Sequence, residues 1–257
     1  MGLDVYVGTL GRYYSGQWET IIQQWGHTSG IRVSLPRQKV RSPDTDERRL
    51  AITAWRASIA LRIDGAEHGP RLVWPLGHWR RLVGKQGAGQ PADSLDWDES
   101  ETAPYFTDKP DWDGYVGALL LAAYAEHPEL ERPEDLPEEV DQDPAWRASA
   151  VAGFRHSRYR QILQPTLWLP GDFKVPVATK DLTGQQAYAG SSVALLTQLR
   201  EVNEQCLRGT PRQLARWRRA GAEPGDTFLK QARFGLAVFL DLAEKAVAHH
   251  LPMKLDY

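Results

Sequence analysis

A long amphipathic helix near the end of the chain is the feature that most limits the possible folds. Apolar side chains recur at helical spacing from Phe228 through Leu236 and Phe239 to Val247. We expect this helix to begin near Pro224, because proline is favourable at the first helical position. It would be about 37 Å long at ~1.5 Å per residue, enough to brace a whole domain.

A first strand is predicted close to the start of the sequence. The residues alternate, with Leu3, Val5 and Val7 on one face and Asp4 and Tyr6 on the other. This pattern is typical of a half-buried strand.

Two further segments have helical character. The segment 114–125 is almost uncharged and apolar on all sides, which predicts a central helix, and Ile52, Trp55, Ile59 and Ile63 recur at helical intervals. The regular βαβ alternation of a parallel sheet is missing. The sequence therefore predicts one α+β domain over residues 1–257, with a small mixed or antiparallel sheet packed against several helices.

Composition places the chain among globular proteins. It has 257 residues, of which 42% are hydrophobic, with 31 basic and 33 acidic side chains. The single cysteine, Cys206, excludes an internal disulfide and a cysteine-based zinc site. No leader segment and no apolar run of the roughly 18 residues that span a bilayer is recognisable, so we expect a soluble cytoplasmic protein without membrane contact.

The near-balanced charge hides a strong asymmetry along the chain. Residues 93–143 hold 17 acidic and two basic side chains, a net charge of −15, which leaves +13 for the remainder. Such segregation indicates either a basic partner for the acidic part or docking of the two parts against each other. The segment contains an acidic aromatic loop at 93–113 and an acidic, proline-rich loop at 126–144.

The candidate binding residues are mostly acidic or aromatic and lie in the first of these loops or beside the first strand. Closely spaced carboxylates can hold a divalent cation or divide into an acid and a base, and aromatic faces suit sugars and organic cations. A solvated loop, helix capping and ordinary tyrosine packing explain the same residues without a site. The candidates are Tyr6, Arg12, Tyr14, Trp97, Asp98, Glu99, Tyr105, Asp108, Trp112 and Asp113.

Catalytic and metal motifs are not complete anywhere in the sequence. The acidic loop lacks the spacing of a calcium loop, no two histidines stand four residues apart, and no Gly-x-Ser-x-Gly elbow occurs. The basic run from Arg212 to Arg219 could contact phosphates, but the sequence pI of about 6.4 argues against a nucleic-acid protein. We expect no nucleic-acid partner.

Three stretches carry a resemblance to other proteins. The opening GLDVYVGTLGRYY, the phrase APYFTDKPDWD and the ending from Ala232 to Tyr257 resemble stretches of uncharacterised bacterial proteins. The resemblance implies a bacterial cytoplasmic protein and implies no activity.

Two functions of different kinds are consistent with the sequence. The first is a non-enzymatic protein that captures a basic macromolecular partner on its acidic aromatic surface and needs no cofactor, as a toxin-neutralising immunity protein would. The alternative is a hydrolase that uses Asp98, Glu99, Asp108 and Asp113, with or without Mg²⁺ or Ca²⁺. A purely structural subunit remains a third possibility, and the oligomeric state is not predicted.

Overall fold

A six-stranded mixed sheet forms the middle of the fold. The computed structural model describes residues 3–29, 45–68 and 95–257. The strand order is β2-β1-β6-β3-β5-β4, in which β3 and β5 run parallel and the other neighbours antiparallel. The strands are β1 (Asp4–Val7), β2 (Phe106–Asp108), β3 (Leu167–Leu169), β4 (Val177–Lys180), β5 (Gln186–Ser191) and β6 (Met253–Asp256).

Nine α-helices lie within the described ranges. A 3₁₀ turn at Val140–Gln142 and a π-helical turn at Asn203–Leu207 accompany them. The helices are α1 (Leu10–Ser15), α2 (Ile21–Thr28), α3 (Thr45–His68), α4 (Asp111–Glu126), α5 (Pro144–Ala150), α6 (Arg160–Leu163), α7 (Ser192–Val202), α8 (Pro211–Ala220) and α9 (Phe228–His249). The predicted α+β class, mixed sheet and long C-terminal helix are confirmed.

One face of the sheet is covered by α4, α7 and α9. Val5 and Val7 of β1 and Met253 and Leu255 of β6 are buried in this larger core, together with Trp168 of β3. The apolar helix α4 lies within it, as its sequence predicts, because it has no polar side to present to water.

The opposite face of the sheet is covered by α1 and α3. Leu167 and Leu169 of β3 form a second core with Ile52 and Ile59 of α3. On the β1 side the same face carries Tyr6, which is 0% exposed. The first strand is therefore buried on both faces, and the expectation of a half-buried strand is wrong because helices cover both sides of the sheet.

Helices α4 and α9 approach closely at their glycines. A Cβ added at Gly117 would lie 2.7 Å from the backbone nitrogen of Ala232, and one added at Gly235 would overlap the carbonyl oxygen of Gly114. Only residues without a side chain permit this backbone contact, so the spacing of the two central helices depends on these glycines.

The long helix α9 begins later than predicted. Thr227 occupies its N-cap with an extended backbone, so the first helical residue is Phe228. Pro224 instead lies in the preceding turn, where the amide of Asp226 donates to the carbonyl of Glu223 at 3.1 Å. Among the described residues, no helix combines the length and the apolar character needed to cross a membrane.

Substituting Gly235 by alanine should destabilise the protein. The added methyl group must push α4 and α9 apart, which costs about 1–3 kcal/mol in a packed core. Urea denaturation measures this loss. Gly65→Ala in α3 is the control, because its Cβ would meet no atom of the described residues within 4 Å and alanine is the better helix former. An equal loss in both variants would contradict the close-packing explanation.

Candidate functional site

Glu99 of the acidic aromatic segment caps helix α1, although the two are far apart in the sequence. The carboxylate of Glu99 accepts hydrogen bonds from the backbone amides of Leu10 at 3.0 Å and Gly11 at 2.8 Å, and the side chain of Thr9 accepts from the next amide. The indole nitrogen of Trp97 also donates to Glu99. A carboxylate is favourable here because the first amides of a helix lack partners within it. Glu99 therefore anchors the segment to α1.

Arg12 also attaches this segment to α1. Its guanidinium donates to the carbonyl of Ala103 at 2.6 Å and to the carbonyl of Glu101, and it lies 5.1 Å from the centre of the Tyr105 ring. These oxygens are neutral, so Arg12 holds the segment in place while its own charge is not paired by a carboxylate among the described residues.

Trp97 is held by Arg56 of α3. The guanidinium lies 3.7 Å from the centre of the indole ring, donates to the carbonyl of Trp97 at 2.5 Å, and is 3.7 Å from Glu99 and 3.4 Å from Asp96. Burial lowers the pKa of Arg56, and the nearby carboxylates oppose this effect. Trp97 is 3% exposed. It is a core residue and does not form the wall of an open site.

Asp98 differs from its neighbour Glu99 because it points to solvent. Its carboxylate accepts from the backbone amide and the hydroxyl of Ser100 at 2.8 and 2.7 Å. These hydrogen bonds lower the pKa of Asp98 below its usual value.

Asp108 belongs to a different part of the molecule. It accepts from Arg218 of α8 in a 2.5 Å ion pair, and Arg218 also lies 3.0 Å from Asp241, which Lys245 contacts at 2.7 Å. Residues 106–108 of the predicted loop form strand β2, so this part of it is regular structure. Asp108 therefore links the sheet edge to α8 and α9.

Trp112 and Asp113 lie in the first turn of α4. Trp112 is 45% exposed and its ring centre lies 5.8 Å from that of Tyr257. Asp113 is half-buried in the first turn, where a carboxylate is favoured by the helix dipole.

Tyr6 and Tyr14 pack between α1 and the sheet. The Tyr6 hydroxyl donates to the carbonyl of Thr9 at 3.0 Å, and its ring lies 4.9 Å from Trp18 and 6.3 Å from Tyr105. The Tyr14 hydroxyl donates to Asp181 at 3.2 Å. Both tyrosines take part in packing.

A buried polar cluster next to these tyrosines was not predicted. Lys254 of β6 lies 3.7 Å from Asp181 and 5.3 Å from the centre of the Tyr13 ring, and the Tyr13 hydroxyl donates to Asp256 at 2.6 Å. The sequence does contain a pattern that indicates such a strand. Apolar and charged residues alternate from Met253 to Asp256, much as apolar and polar residues alternate in β1.

The cluster contains groups whose pKa values are shifted. Burial lowers the pKa of Lys254, an effect that Asp181 partly reverses, and burial together with Asp256 raises the pKa of Tyr13. Burial opposes the charged form of Asp181, but hydrogen bonds from Thr183 and the charge of Lys254 outweigh it and lower the pKa.

Two adjoining hollows lie between α1, α3 and the segment 98–101. The first, of about 270 Å³, is bordered by Arg12 and Glu99 among the sequence candidates. The second, of about 340 Å³, is bordered by Asp98 and Glu99. Among the described residues, the first hollow is also lined by Thr9, Gly11, Gln17, Arg48, Arg49, Ile52 and Glu101. The second is also lined by Arg49, Ile52, Thr53, Arg56 and Ser100.

The four carboxylates of the hydrolase alternative do not share one environment. Asp98 and Glu99 border the hollows, whereas Asp108 contacts α8 and Asp113 lies on α4. Within residues 3–29, 45–68 and 95–257, no three His, Cys, Asp or Glu side chains are grouped to hold a metal ion.

The acidic, proline-rich loop places its carboxylates in two ways. Glu126 accepts from Ser149 and Ser157 at 2.9 and 2.6 Å, and Asp143 caps α5 and accepts from Tyr124 at 2.9 Å. The others are exposed: Glu129, Glu131, Glu134, Asp135, Glu138, Glu139 and Asp141, here named the 129–141 surface. Residues 93 and 94 of the first loop lie outside the described residues.

Comparisons of this chain with models of protein families, with curated proteins and with solved structures give no match. The geometry described above is therefore the basis for the proposals below.

Removing the Glu99 side chain should loosen the attachment of α1. Glu99→Ala leaves two helix amides and the Trp97 indole without their acceptor, and a lost cap with unsatisfied donors costs about 2 kcal/mol. Chemical denaturation checks this. Glu101→Ala is the matched control, since its recorded hydrogen bond within the described part of the chain is through the backbone carbonyl, and it should change stability by less than about 0.5 kcal/mol.

Lys254→Met should destabilise the protein in a pH-dependent way. At pH 7 the buried Asp181 carboxylate loses its cation, at a cost of ~1–3 kcal/mol. The folded-state pKa of Asp181 is depressed. The stabilisation from its ion pair with Lys254 is therefore fully present above the unfolded pKa of about 3.9 and is lost as pH falls through the folded pKa. The deficit should therefore shrink in acid.

Denaturation measured from pH 7 to pH 2 tests this expectation. The control is Lys230→Met, which removes a lysine that is 53% exposed and paired to Asp226 at one turn's distance. Its effect should stay below about 1 kcal/mol at every pH. A Lys254→Met deficit that does not change with pH would show that Asp181 is not its cause.

Proposed function

We propose that this chain is a soluble bacterial binding protein that captures a basic protein partner on the 129–141 surface. Neutralisation of a basic toxin, in the manner of bacterial immunity proteins, is the most concrete form of this function. The proposal refines the expectation from sequence, because the residues of the first acidic loop are largely engaged within the fold.

The supporting observation is the contrast between the two acidic segments. Asp96, Glu99 and Asp108 of the first segment each lie within 4 Å of an arginine of this chain. On the 129–141 surface, among the described residues, the recorded ion pair is that of Glu129 with His127 at 3.5 Å. Seven exposed carboxylates thus lie within residues 129–141, where Arg132 is the one arginine or lysine, and Arg147 of α5 donates to the backbone carbonyl of Asp141 at 2.8 Å.

Arg132 compensates this charge only in part, because it is one cation among seven carboxylates. Its guanidinium donates to the Cys206 sulfur at 3.3 Å, and burial raises the pKa of that thiol. Repulsion between neighbouring carboxylates is relieved when a cationic partner binds, which favours a basic ligand over a neutral one.

The backbone that carries the 129–141 surface is fixed to the rest of the fold. The amide of Phe228 donates to the carbonyl of Glu134 at 2.9 Å, and the amide of Leu130 donates to His127 at 3.1 Å. Leu136 and Val140 pack against the larger core. A preorganised surface loses little conformational entropy when a partner binds.

The hydrolase alternative has less support because of how Glu99 is used. Its two oxygens already accept three hydrogen bonds, from Leu10, Gly11 and Trp97. A carboxylate engaged in this way is a poor general base, since proton uptake would break these bonds. Asp98 alone does not provide an acid and base pair.

Neutralising part of the 129–141 surface should slow association with the partner. Affinity capture from the host lysate at low salt, followed by purification, supplies the partner for stopped-flow measurements. The triple variant Glu134→Gln, Asp135→Asn and Glu138→Gln should reduce the association rate about tenfold at low salt and weaken its dependence on salt, because complementary charge mainly accelerates encounter.

The control variant removes the same charge elsewhere. Glu47→Gln, Asp172→Asn and Glu244→Gln are exposed positions outside the 129–141 surface and should leave the rate within about twofold. The proposal fails if no captured protein is released by salt, or if both triple variants slow association equally.

A further inference from the structure

The two adjoining hollows form one cleft along a single face of α3. Arg49, Ile52, Thr53 and Arg56 are spaced at three, four and seven residues, so they share one side of the helix. The hollows have Arg49, Ile52 and Glu99 in common. We name them together the α1–α3 cleft. Its size suits a small molecule, since ligand pockets typically enclose several hundred Å³.

The carboxylates of the cleft are largely occupied by donors of the chain itself. Glu99 receives two backbone amides and an indole nitrogen, and Asp98 receives the amide and hydroxyl of Ser100. Their negative charge is therefore stabilised locally. The carboxylate of Glu101 is exposed at the rim.

Two guanidinium groups of the cleft, those of Arg12 and Arg49, lack a strong ion pair among the described residues. Arg12 donates to neutral carbonyls, and the recorded ion pair of Arg49 is with the highly exposed Asp46 at 3.8 Å. An exposed pair at that separation is weak. Arg56 differs, because it stacks on Trp97 and lies 3.7 Å from Glu99.

We propose that the α1–α3 cleft binds a small oxyanion ligand, a phosphate ester or a carboxylate. Arg12 and Arg49 would pair with its anionic oxygens, for which the planar guanidinium fork has matching geometry. Ile52 offers an apolar wall to the rest of the ligand.

This site is separate from the proposed partner surface. Ile52 of the cleft belongs to the core on the α3 side of the sheet, whereas Leu136 and Val140 belong to the core on the other side. Loss of one binding activity would leave the other intact, so the two proposals fail independently.

Isothermal titration calorimetry with inorganic phosphate, pyrophosphate and citrate at constant ionic strength tests the cleft. We expect saturable binding of at least one probe. Arg49→Met should weaken it about tenfold. Glu101→Gln should strengthen it, because a repelling carboxylate is removed from the rim.

The matched control is Arg216→Met, which removes one exposed arginine from α8. Its affinity should equal that of the unaltered protein, and thermal unfolding without ligand verifies that each variant is folded. Absence of saturable heat with all three probes, or equal weakening by both variants, would overturn the proposal.

Discussion

Antiparallel pairing of β1 with β6 is the constraint on which the rest of the structure depends. The register sets Val5 opposite Leu255 and Tyr6 opposite Lys254. Because side chains alternate along a strand, one face of this pair is apolar and the other carries charged and phenolic groups. The apolar face requires α4 and α9, and the polar face requires a cover that can satisfy its hydrogen bonds.

Helix α1 is that cover, and its attachment creates the cleft. Tyr13 and Tyr14 reach down to Asp256 and Asp181, so α1 must lie directly over β6. A six-residue helix has little stability of its own. Glu99 and Arg12 stabilise α1 by joining it to the segment 99–103. The space left between this junction and α3 is the α1–α3 cleft.

The sequence predicts what is periodic and local. The apolar repeat of α9, the uniformly apolar α4 and the alternation of β1 each report burial along one element, and all three are confirmed as elements. The cap of α1 could not be predicted in this way, since Glu99 is 88 residues from Gly11 and looks like its exposed neighbour Asp98. Which carboxylate turns inward depends on tertiary contacts with α1 and Arg56.

The dependence on tertiary contacts also explains why some carboxylates of residues 93–143 face the interior while others face solvent. A carboxylate is retained inside where amides or guanidinium groups converge on it, as at Glu99, and such donors come from α1, α3, α5 and α8 at the places where these helices meet the segment. Around Glu138 and Glu139 the half-buried neighbours Leu136 and Val140 are apolar. They fix the backbone but provide no counter-charge, which leaves the carboxylates there exposed to solvent.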